Sequence, residues 1–322
     1  MRGLYAELLK LRRPALLWIS LIMIVLSVLF GAMSQQPNFE YIRNQQAADA
    51  FVRADPPAPG DFGLSSEGPA YEQALAENLR GMERQTREAV RDGALVGATQ
   101  HPVGALGLAS GLAVSTVGAL LLFLVAGAHV GGEWNDRTIK EILARDGRRY
   151  RFVLSKIASV WLAGVWLLLC SWVGLVCLGF VSQRIWPISE PASTTVAWAW
   201  AGPQLGRALL VLLLLAVVGA CLSVVVRNPF GAFFGGIILL VALGFASRFS
   251  ALERFVPIVW VGTWMRFDTA TAPESYLIDH PVSASESIAV GATASGVGIA
   301  ALCLLLTAVA IVSMTRRRDI LI

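Results

Sequence analysis

The sequence predicts an all-α integral membrane protein with six transmembrane helices and both termini in the cytoplasm. Three observations carry that expectation. Hydrophobic residues make up 56% of the 322 positions and charged residues only 15%, with a mean hydropathy of +0.63, far from the balance of a soluble domain. Six runs contain no Asp, Glu, Lys or Arg: residues 14–39, 103–128, 157–183, 208–226, 228–247 and 287–315. Each approaches or exceeds the roughly 20 residues that cross a bilayer as a helix, the local way to satisfy every backbone polar group in lipid. Finally, the basic residues gather at one set of ends. Lys10, Arg12 and Arg13 precede the first run, seven Lys and Arg lie in 129–156, and Arg316, Arg317 and Arg318 follow the last. Positive charge marks the cytoplasmic side, and an even number of spans lets all three groups share it.

Taken in order, residues 1–13 form a cytoplasmic lead-in. There Leu4, Leu8, Leu9 and Leu11 oppose Glu7, Lys10, Arg12 and Arg13 as an interfacial amphipathic helix does. The first span, 14–34, is too long for the apolar core of a signal peptide and is kept as a mature helix. Residues 35–102 carry ten acidic residues against six arginines and are placed outside as a helical hairpin. The stretch Pro56-Pro57-Ala58-Pro59-Gly60 breaks it. A helix is expected from about 69 to 92, with Ser66 near its start and Gly93 at its end. The second span is 103–128, the third 157–182, the fourth 207–226, the fifth 230–248 and the sixth 287–315, before a cytoplasmic tail at 316–322.

The connections differ in kind. Residues 183–206 form an external loop with Trp186, Trp198 and Trp200 at the depth of an aromatic belt. Residues 227–229, Arg227-Asn228-Pro229, are a short cytoplasmic turn. Residues 249–286 hold an apolar piece at 255–264 that is too short to cross, read as a re-entrant or interfacial segment. Arg207 and Arg248 fall where long side chains can reach headgroups. Gly107 with Gly111 and Gly231 with Gly235 supply small-residue pairs for close helix packing. Cys170, Cys177, Cys221 and Cys303 all fall inside spans, as small apolar fillers rather than disulfides or zinc ligands.

The cytoplasmic loop 129–156 is more than a turn. Thr138 and Glu141 match a capping box. After it, Ile139, Ile142 and Leu143 share one face while Lys140, Glu141 and Arg145 point elsewhere. Such a helix can dock into a partner's groove or rest on the inner leaflet, and the residues alone leave both open. Glu133 lies at the lipid boundary, where an ionisable side chain is a functional candidate, with Arg137 or a neighbouring helix end as its partner.

Here the sequence resembles the ABC-2 type transporter permeases. Glu133, Thr138, Lys140, Leu143, Arg148, Arg149 and Lys156 follow that family's cytoplasmic signature. The ending Arg317-Arg318-Asp319-Ile320 and the turn Arg227-Asn228-Pro229 resemble other parts of it. Two departures leave the subfamily and the substrate open: Arg137 stands where the family has Gly, and Asp146-Gly147 replaces a Pro-containing turn.

The resemblance implies a transmembrane subunit that binds no cofactor of its own and pairs with a second copy or a related permease in a bacterial-type plasma membrane. Two ATPase subunits carrying ATP and Mg would drive export of an amphipathic drug, peptide or lipid. It also implies an ATPase-coupling set: Glu133, Arg137, Thr138, Ile139, Lys140, Ile142, Leu143, Arg227 and Asn228. The chain cannot supply its own P-loop. That motif needs Gly directly before its Lys, and Lys10, Lys140 and Lys156 follow Leu9, Ile139 and Ser155. No nucleic-acid partner is expected, and the chain itself is not expected to be an enzyme. His101, His129 and His280 fall on both sides of the membrane and cannot share a metal. A membrane scaffold or sensor using the external hairpin is the alternative reading, with an intramembrane enzyme behind it.

Overall fold

Charge-free runs of this length leave the backbone little choice but to bond to itself, and among the described residues every regular element is a helix, with no strand. The computed structural model describes residues 16–32, 101–135, 149–185, 194–228, 230–249, 255–265 and 292–316, with scattered positions between 68 and 80. The lead-in at 1–13 and the capping box at 138–141 lie outside the described residues, as does most of the 35–102 segment. The helices are α1, Leu16–Ala32; α2, Pro102–Val114; and α3, Thr116–Ala126, which runs through a π-helical turn, Gly127–Gly131, into the short α4, Gly132–Asn135. There follow α5, Arg149–Ile185; α6, Thr194–Val226; α7, Gly231–Ala246; α8, Pro257–Met265; and α9, Ala292–Arg316.

Three of these are long and apolar enough to cross a membrane: the 150–184 part of α5, the 201–226 part of α6 and the 293–312 part of α9. The bent pair α2–α3 makes a fourth if it is one span. Helices α1 and α7 are apolar but shorter, at 17 and 16 residues, which at 1.5 Å per residue is less than the roughly 30 Å hydrocarbon core.

Two helices begin earlier than the charge-free runs suggest. Helix α5 starts at Arg149 rather than near 157 because its first turns are amphipathic, with Phe152 and Val153 buried beside Ile157, Val217 and Ala310. Helix α6 starts at Thr194, inside the expected 183–206 loop, and carries Pro203 within it. Ala201 holds this early part against Ala105, Leu108 and Ala109 of α2.

The α2–α3 pair is sharply bent. At Ser115 the axes of α2 and α3 turn by 63°. The serine replaces part of what the break removes: its Oγ donates to the Leu112 carbonyl at 2.7 Å and accepts from the Gly118 amide at 3.4 Å. Gly118 makes the bend possible, since a Cβ there would overlap the carbonyl oxygen of Ala113. Lower down, the fully buried Phe123 wedges α3 between α6 and α7. A Cβ at Gly236 would run into its ring, and one at Gly219 would stand 3.1 Å from its Cδ1. Gly219 and Gly236 are therefore the glycines that let Phe123 pack between these helices. Of the expected pairs, Gly231 is tight, since a Cβ there would overlap the Val226 side chain; Gly111 has nothing within 4 Å of its Cβ position, and Gly235 makes only ordinary contact with Leu222.

Polar side chains stitch the apolar helices together. Ser27 Oγ donates to Ser171 Oγ at 2.9 Å, and Trp166 Nε1 donates to Ser20 Oγ at 2.9 Å, tying α1 to α5. Trp161 Nε1 reaches the Leu209 carbonyl of α6 at 3.1 Å, and Trp172 Nε1 the Pro102 carbonyl at 2.7 Å. Such bonds average about 0.6 kcal/mol each within membranes, so they set orientation more than they supply stability. All four cysteines are free, with Cys170 and Cys303 buried.

The wedge predicts a sharp contrast between two small changes. Gly236→Ala should lower stability by about 1–3 kcal/mol through overpacking against Phe123. Gly111→Ala should stay within about 0.5 kcal/mol of the parent. Equilibrium unfolding of the two variants in mixed micelles measures the difference.

Candidate functional site

The two described ends of the heavily charged segment 129–156 meet in a buried salt bridge. Glu133, on α4, and Lys156, two turns into α5, form a salt bridge of 2.7 Å between Oε1 and Nζ. The side chains are 9% and 2% exposed, so both charges are out of water. Lys156 Nζ also lies 5.5 Å from the centroid of the Phe152 ring, which borders it with negative π density. Phe152 sits four residues earlier on the same helix, so the aromatic and the ammonium share one face.

The local sequence explains how the two charges meet. The α3 helix widens into the π turn Gly127–Gly131, in which the Gly132 amide donates to the Gly127 carbonyl five residues back. One extra residue is accommodated in that turn, which turns everything after it relative to a plain α-helix. Glu133 follows two residues after the turn and is buried. His129 lies within the turn and is buried too. On the partner side, the early start of α5 places Lys156 well inside a rigid helix instead of in a loop.

Charges this deep are costly unless matched. The effective penalty for removing an ion from water is several kcal/mol after relaxation, and only close opposite charge with good geometry offsets it. The pair therefore joins the end of one apolar helix to the beginning of the next, at the two limits of the 134–155 stretch.

Of the other residues expected at the coupling surface, Arg137, Thr138, Ile139, Lys140, Ile142 and Leu143 lie outside the described residues. Arg227 and Asn228 are described, and they build a tight turn. Arg227 adopts a left-handed φ of 54° that stops α6, its amide donating to the Ser223 carbonyl at 3.0 Å. Asn228 then accepts from the Phe230 amide through Oδ1 at 2.9 Å, starting α7. Both are exposed. His101 caps α2, its Nδ1 accepting from the Val103 amide at 3.2 Å.

A second polar place lies where α6, α8 and α9 meet. Arg207 sits 5.8 Å from the centroid of the Trp264 ring, whose Nε1 donates to the Arg207 carbonyl at 3.3 Å. Trp264 rests on Gly296 of α9, where a Cβ would overlap its ring. Gln204 Oε1 and Ser295 Oγ are buried on α6 and α9 without a hydrogen-bond partner. Neither stood out in the sequence, because one Gln and one Ser in apolar runs carry no periodic signal.

No protein-family model, curated protein or solved structure matches the chain.

The ion pair makes a testable thermodynamic statement. Lys156→Met alone should destabilise the protein by about 3–5 kcal/mol, because it strands Glu133 in the interior. Adding Glu133→Leu should recover most of that loss, since a matched apolar pair of similar volume is often neutral. A double-mutant cycle on unfolding free energies reads the coupling directly.

Proposed function

We propose that this chain is the membrane-spanning permease subunit of an ABC-2 type transporter, with six spans, cytoplasmic termini and a separate ATPase. The observation that carries the reading is the buried Glu133–Lys156 pair at the two limits of the signature-bearing segment. A connection meant only to reverse the chain needs a few residues and no buried charges. A connection that must carry force between a partner and the span bundle needs firm attachment at both ends. Tying Glu133 to Lys156 provides that attachment, and the apolar stripe Ile139, Ile142 and Leu143 provides a surface to grip.

In this reading α1, the broken α2–α3 pair, α5, α6, α7 and α9 are the six spans. The two shorter helices cross with help from flanking residues or local bilayer thinning. Helix α8 is the outer re-entrant piece. The 134–155 stretch and the Arg227–Asn228 turn face the cytoplasm, where two ATPase subunits close on ATP and Mg. Closure favours one of two arrangements of the spans to the extent that ATP binds it more tightly. A second copy or a related permease completes the pathway in a bacterial-type plasma membrane. The cargo is an amphipathic drug, peptide or lipid moved outward, a class that suits an apolar route.

Two results are expected. Affinity purification of the full-length protein from its native membrane should bring down a P-loop ATPase in near-equal amount. Ile142→Asp with Leu143→Asp should lose that partner and transport while keeping the unfolding profile of the parent. Isolation without any P-loop protein, together with full function in the double aspartate variant, would remove the transporter reading in favour of a scaffold or sensor.

A further inference from the structure

We infer that the Gly127–Gly131 turn is a register switch, a helix segment with two stable windings, and that the Glu133–Lys156 pair selects the π-helical one. A π turn holds one residue more than the α turn it replaces. Closing it into plain α-helix would rotate everything beyond it by roughly 100°, the angle per residue of a 3.6-residue turn. In the present winding Glu133 faces Lys156. In the plain winding Gly132 takes that direction, and the carboxylate is carried around the helix away from the ammonium.

The sequence is suited to both windings. Gly127, Gly131 and Gly132 place three residues without side chains in and beside the turn, which leaves its backbone free to rewind. A Cβ at Gly132 meets nothing within 4 Å, so a cysteine can be placed there without a clash. Above the turn, α3 is held by Phe123 between α6 and α7 and stays fixed. Below it, the described part of α4 is four residues long and held at Glu133. The wide turn gives up regular α hydrogen bonding, and the matched pair of buried charges compensates. If the pair is broken, the reason to keep the extra residue in the turn is gone. Motion of the 134–155 stretch then becomes rotation at the end of α3. That a cytoplasmic ATPase supplies this motion rests on the transport reading; the two windings do not.

Paired cysteines separate the two windings. In full-length protein with Cys170, Cys177, Cys221 and Cys303 replaced by alanine, Lys156→Cys is combined with either Gly132→Cys or Glu133→Cys. A short bifunctional thiol reagent is then applied in bilayers. With the ion pair gone, the 132–156 link should exceed the 133–156 link several-fold. Deleting Ala128 removes the extra residue and should reverse that preference, because Glu133's position then faces Lys156 in plain α-helix. A 132–156 link no stronger than the 133–156 link in the undeleted protein overturns the proposal.

Amide exchange supplies a second test that needs no cysteines. Deletion of Ala128 in the otherwise native chain should slow exchange at residues 127–132 several-fold and leave Phe123 unchanged. Equal rates in the two proteins also overturn it. Neither readout uses transport or an ATPase, so either can fail while the transport reading stands, and the reverse.

Discussion

A lysine buried to 2% exposure is among the least tolerable residues an apolar bundle can hold, and Lys156 is held that way two turns into the longest helix of this protein. Its burial requires an anion at hydrogen-bonding distance on a neighbouring element, and Glu133 provides it. Much of the local architecture follows from meeting that requirement. Helix α3 must continue into α4, beyond its apolar run, to bring Glu133 to Lys156, and the π turn gives it the right direction. Helix α5 must start early enough to keep Lys156 and Phe152 on one rigid face. The consequence is a charged segment clamped at its two limits.

The rest of the bundle follows a related rule, that polar groups among apolar helices are used as connectors. Serine and tryptophan side chains reach across to neighbouring helices, as Ser27 does to Ser171 and Trp161 to the Leu209 carbonyl. Where the backbone itself is interrupted, at Ser115, the side chain of the same residue takes over part of the lost bonding. Glycine is placed where helices approach most closely, so that Phe123 can fill the space among α3, α6 and α7. The α2–α4 segment is thus firm in its middle and carries two departures from regular winding, the Ser115 bend and the π turn, on either side of Phe123.

The helical class and the sites of the apolar helices are legible in the sequence because charge-free runs are a strong signal and the bilayer admits few alternatives. The singular character of the 133–156 segment is legible for the opposite reason, as an island of charge. Less accessible were the features that depend on direction. Within a run such as 103–128 every face is apolar, so no periodicity marks the bend at Ser115 or the extra residue after Ala126. Small-residue spacing points to Gly107 with Gly111 and Gly231 with Gly235; Gly231 is close-packed but Gly111 stands in open space, and the contacts at Gly219 and Gly236 are set by Phe123 on another helix, which spacing within one helix does not reveal. For Glu133 the sequence offers Arg137 or a neighbouring helix end, and the structure pairs it with Lys156 of the neighbouring α5.

The most direct test of the buried pair uses the scarcity of lysine in this chain. Lys10, Lys140 and Lys156 are its only three lysines, so uniform ¹⁵N labelling of lysine gives three side-chain nitrogens to distinguish in a lipid-embedded sample. Solid-state NMR with ¹³C-labelled glutamate should show one of those nitrogens in through-space contact with a glutamate carboxylate carbon, protected from exchange with water. The contact should vanish in Glu133→Gln. Three lysine nitrogens that all exchange freely, with no carboxylate contact sensitive to Glu133, would contradict the account.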